Sequence, residues 1–106
     1  LIRDDKAALK EEIIRMKRGY IPAYSSERMD FSTLVKEVFW LVELEQNVLG
    51  VKGKHSFKGI VESVTNKEHI IHDAYKWRVG LYKSQKEKKI FLTKLKVFVS
   101  KFEKKR

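Results

Sequence analysis

The chain has 106 residues, of which 42% are hydrophobic and 36% charged. That is enough apolar material for one packed domain and too much for a wholly disordered chain. With no cysteine it can hold no disulfide, thiolate zinc site or cysteine nucleophile. Its longest apolar run, Val38-Phe39-Trp40-Leu41-Val42, falls far short of the ~20 residues of a membrane span.

The first predicted helix runs from about Arg3 to Arg18. Asp4 and Asp5 in its first turn and Lys17 and Arg18 in its last suit the helix dipole. Leu9, Ile13 and Met16 form its buried stripe, and Gly19 is placed for a left-handed cap. Pro22 biases Ile21 away from helix, so residues 19–28 read as an ordered loop carrying Tyr20 and Tyr24. Asp30 is the N-cap of the second helix, with Met29 and Leu34 at the positions of a hydrophobic staple. Phe31, Leu34, Val38, Leu41 and Val48 share one face of it, while Phe39, Trp40 and Leu44 lie elsewhere on the cylinder. A helix that is apolar on more than one side belongs at the centre. It ends near Gly50, and Val51 to His55 reads as a loop.

Ser56 caps a short helix from Phe57 to about Val64. Thr65-Asn-Lys-Glu68 matches a capping box, predicting a helix from there to about Tyr82. Its stripe is Ile70, Ala74, Trp77 and Leu81, which makes Trp77 a core side chain. Ser84-Gln-Lys-Glu87 is a second capping box and opens the last helix. There Phe91, Leu95, Phe98 and Phe102 step by four, three and four. Residues 57–64 and 95–99 also read as short strands, but the helical period matches more positions. The pattern predicts an all-α fold, a compact bundle of four or five helices with a basic C-terminal helix, in a single domain over residues 1–106.

Catalytic chemistry finds little to work with. There is no nucleophile elbow, no phosphate-cradling glycine loop and no dinucleotide fingerprint. The serines sit mostly at helix starts or in loops. His69, His72 and Asp73 share about one helical turn, a plausible partial set of metal ligands. A pair of this kind more often bonds a backbone carbonyl or a nearby carboxylate, and neither a metal nor a cofactor is expected. The expectation is a non-catalytic binding module.

Charge is the strongest functional signal. The formal net charge is +10, and residues 51–106 hold 16 basic residues against 5 acidic ones. Residues 1–50 hold 8 basic and 9 acidic. Such asymmetry points to a polyanion, first of all nucleic acid, DNA or RNA, met through its phosphates. The expected contacts are Lys52, Lys54, Lys58, Lys76, Arg78, Lys86, Lys89, Lys94, Lys96, Lys101, Lys104 and Lys105. Lysine lacks the planar fork that reads guanine, so sequence-independent binding is the expected mode. The alternative partner is a protein, an acidic or amphipathic helical segment docked on Tyr20, Tyr24, Phe39 and Trp40. A third reading lays the last helix on anionic lipid, although its apolar stripe is better used inside the bundle. The start at Leu1 rather than Met reads as a domain excised from a longer protein, or a chain whose first residues were lost, with the remainder of a larger parent protein or complex as a further expected partner. The missing cysteines and secretory segment favour an intracellular setting, nuclear or cytoplasmic.

Overall fold

Helix α1 (Asp5–Arg15) does not lead to the predicted left-handed cap at Gly19. The chain stays helical through a π-turn, Met16–Tyr20, and passes directly into α2 (Ile21–Ser25). Proline has no N–H, so a regular helix running through it loses a bond. Here Pro22 lies in the first turn of α2, and the Ile21 N–H reaches back to the Met16 carbonyl. In a regular α-helix, residues five apart point about 140° apart. The wider turn brings Met16 and Ile21, both buried, onto the same side. The predicted loop therefore shrinks to the turn before Asp30, where Glu27 adopts φ 64°.

The computed structural model describes residues 5–50, 56–80 and 84–104, with side chains as far as 102. Helix α3 (Phe31–Val48) starts where the sequence places it, the Thr33 N–H donating to Asp30 Oδ1 at 2.8 Å. It ends at Leu49, followed by Gly50 at φ 88°. Helix α4 (Phe57–Ser63) is capped by Ser56, whose Oγ accepts the Gly59 N–H at 3.0 Å.

The capping box at Thr65 does not form. Asn66 Oδ1 instead accepts the Glu68 N–H at 3.0 Å, closing a local turn that competes with helix. Helix α5 (Ile70–Arg78) begins later, with His69 as its cap: Nδ1 accepts the Ile71 N–H at 3.1 Å. It also ends before the predicted Tyr82, because Gly80 takes φ 84° just past the Val79 C-cap. Helix α6 (Gln85–Lys104) opens on the predicted reciprocal box. Glu87 N–H donates to Ser84 Oγ at 3.1 Å and Ser84 N–H to Glu87 Oε1 at 2.8 Å.

The continuous rod of α1, π-turn and α2 joins α3, α4, α5 and α6 in an all-α bundle, with no strand among the described residues. Of the segments that also read as strands, 95–99 lies within α6, and 57–64 is helical except for Val64, the extended C-cap of α4. Helix α3 is central and packs on α1, α2, α4 and α5, while α6 packs on α5 and the π-turn. Leu34, Val38, Leu41, Val42 and Leu44 of α3 are buried against Met16, Ile71, Phe91 and Leu95. Phe31 anchors one end of this core: the rings of Tyr24, Trp77 and Phe91 meet it edge-on at 5.5, 4.5 and 5.2 Å. Trp77 is thus a half-buried member of the core rim, as its stripe predicts.

Candidate nucleic-acid interface

Phe91, Leu95 and Val99 turn one side of α6 inward. Helical geometry then fixes what the other side presents. Lys86, Lys89, Lys96 and Lys101 are all exposed. Between the lysines runs a line of Ile90 and Val97, 47% and 53% exposed. Lys89 and Lys96 flank that line on one side, Lys94 and Lys101 on the other. Helix α6 has 20 residues, so this face is about 30 Å long.

Not every expected contact is equally open. Lys94 reaches across to α5, its Nζ 3.3 Å from Asp73 Oδ2, and is partly neutralised there. The Arg78 guanidinium lies 4.9 Å from the centre of the Phe57 ring. Lys58 and Lys76 are exposed on α4 and α5. Lys52, Lys54 and Lys105 fall outside the described residues, as does the Lys104 side chain.

The expected docking set is broken up by the fold. Phe39 is 1% exposed and packs on Phe57, ring centres 4.3 Å apart, so it offers no docking surface. Its place on the far side of α3 is covered by α4, a neighbour that helical periodicity in α3 alone does not reveal. Tyr20 and Tyr24 are half-buried, and burial pushes both hydroxyls above the ordinary tyrosine range. Trp40 stays partly exposed, at 37%.

His69 and His72 have structural partners. His69 Nε2 lies 2.8 Å from Glu45 Oε1. Because Nδ1 accepts from the Ile71 backbone, the proton of the neutral ring belongs on Nε2, which donates to that carboxylate. His72 Nε2 donates to the Val64 carbonyl at 3.1 Å, tying α5 to the end of α4. Asp73 faces Lys94. The three side chains serve three different contacts, and no metal-binding cluster occurs among the described residues.

Two features escape the sequence reading. The first is a cleft of about 530 Å³ between the turn before α3 and the start of α6. Tyr24, Met29 and Leu92 supply its apolar wall, Arg28, Lys88 and Lys89 its cations, and Glu27 and Gln85 further polar groups. Lys88 also covers the aromatic cluster, its Nζ 5.6 Å from the Phe31 ring centre and 5.0 Å from that of Trp77. The hint was present: Lys88 stands seven residues before Leu95, on the inward stripe. The second is Glu12, 1% exposed on α1, whose carboxylate makes no well-formed hydrogen bond and has only the nearby Tyr20 hydroxyl and Arg15 to answer it.

No helix among the described residues is long and apolar enough to cross a membrane. Compared with known proteins, the chain matches no family model, and neither a curated protein nor a solved structure is significantly similar to it.

Proposed function

We propose that the protein is a non-catalytic binding module that holds nucleic acid, DNA or RNA, through its phosphates, without sequence preference, in an intracellular setting. The observation that supports this is the solvent face of α6, where Lys86, Lys89, Lys96 and Lys101 are exposed along one straight element. Several ammonium groups at fixed spacing release several counterions together, which makes the affinity strong at low salt and steeply salt-dependent. With about five phosphates engaged on a duplex, affinity falls about 500-fold between roughly 50 and 200 mM salt. A mobility-shift titration of mixed-sequence DNA and RNA against salt reads this directly. Reversing Lys86, Lys89, Lys96 and Lys101 to Glu abolishes the binding while leaving the helical circular dichroism intact. No binding at low salt overturns the reading.

A second reading draws on Ile90 and Val97. Exposed β-branched residues seven apart, flanked by lysines, match the seam of a helix that pairs with an acidic amphipathic helix of a partner protein. Ile90→Gln with Val97→Gln removes the apolar seam without adding charge, so it abolishes capture of such a peptide and leaves phosphate binding largely in place.

A further inference from the structure

Resting on the nucleic-acid reading, we propose that the cleft between the turn before α3 and the start of α6 takes one unpaired nucleotide, so that the preferred ligand is single-stranded. The cleft holds about 530 Å³, within the range of roughly 300–1,000 Å³ typical of small-ligand sites. Its chemistry is divided the way a nucleotide is. Tyr24 and Leu92 offer an aromatic and an aliphatic surface to the face of a base. Arg28 and Lys89 offer cations to the adjoining phosphate. Glu27 and Gln85 bring hydrogen-bonding groups to the same space, and a carboxylate there repels a bare anion but accepts from an exocyclic amino group.

Glu27 therefore favours a base that carries an amine over one that carries only a carbonyl at the same position. The other acid of the cleft, Asp30, is committed to the Thr33 N–H at 2.8 Å. A duplex keeps its bases stacked and paired, so it cannot fill such a cleft without opening.

The cleft is continuous with the lysine face. Lys89 lines the cleft and also begins the flank that continues to Lys96, about 10 Å further along α6. A strand whose base enters the cleft can run its next phosphates along this flank.

Fluorescence anisotropy with a mixed-sequence single strand of about 15 nucleotides, and with the same sequence as a duplex, tests the assignment. The single strand is expected to bind at least about tenfold more tightly at equal salt, one stacked base accounting for the difference. Oligo-dC is expected to bind more tightly than oligo-dT of the same length, since the two pyrimidines differ at the amine. Arg28→Ala and Tyr24→Ala each remove the single-strand preference while duplex binding persists. Arg28 is exposed, so that variant keeps the test valid even where loss of Tyr24 loosens the Phe31 cluster. Equal or tighter duplex binding, or single-strand binding undiminished by Arg28→Ala, overturns the cleft assignment and leaves phosphate binding by α6 standing. No binding of either form at low salt overturns both.

Discussion

Glu12 is the least compensated side chain in the core. Burial, and then the charge of Glu37, push its carboxyl above the ordinary glutamate range, while Arg15 and the Tyr20 hydroxyl pull the other way. Arg15 is only a partial counter-ion, at 3.8 Å and largely solvent-exposed. The sign of the pH dependence follows from linkage. Between the ordinary glutamate range and the raised folded value, the folded protein holds a proton that the unfolded chain has released. Stability is therefore fully retained on the acid side of that window and declines as pH rises through it. Glu12→Gln removes the charge and keeps the shape. It is expected to raise stability at neutral pH by about 1 kcal/mol, with the gain shrinking towards about pH 4. Urea denaturation at the two pH values measures this, and an equal gain at both contradicts it. In the sequence Glu12 simply adjoins Glu11, and nothing local tells the two apart. Only the approach of α3 to α1 makes one of the pair solvent-exposed and the other not.

At the scale of elements, glycines separate what was legible from what was not. Gly50 and Gly80 each follow a helix end at φ 88° and 84°, the conformation that L side chains avoid. Gly50→Ala is expected to cost about 1 kcal/mol by backbone strain alone, because nothing lies within 4 Å of an added Cβ. Gly19 is the opposite case. It sits inside the π-turn with open space around it, so Gly19→Ala is expected to stabilise by roughly 0.5–1 kcal/mol. Thermal melts of the two variants, shifting in opposite directions, check the pair. A destabilised Gly19→Ala would restore the left-handed cap that the sequence suggested. The reciprocal box of Ser84 and Glu87 was readable because its two partners are local. Thr65 and Glu68 spell the same motif, but Asn66 between them offers a competing turn and His69 takes the cap instead.

Across the whole molecule, the radius of gyration of 13.4 Å is that of a compact body, and it carries a net charge of +10. Self-repulsion on that body opposes folding and is screened by salt. Added sodium chloride is therefore expected to raise the melting temperature of the free protein while weakening its nucleic-acid complex. Reversing Lys86, Lys89, Lys96 and Lys101 to Glu relieves repulsion and places carboxylates near the start of α6, where the helix dipole favours them. The reversed variant is expected to melt no lower than the parent, by calorimetry at low salt, although it no longer binds.

The all-α fold, the central place of α3, three helix starts and the basic outer face of α6 follow from residues at most a turn or two apart. Local hydrogen bonds and the 3.6-residue period write these directly into the chain. Tertiary packing alone decided that Phe39 is covered by Phe57, that Glu12 is sealed in beside Glu37, and that Arg28 and Lys89 line one cleft. Each of those pairings joins residues far apart in sequence. Their separation in space is set by which helices meet, and no local periodicity carries that information.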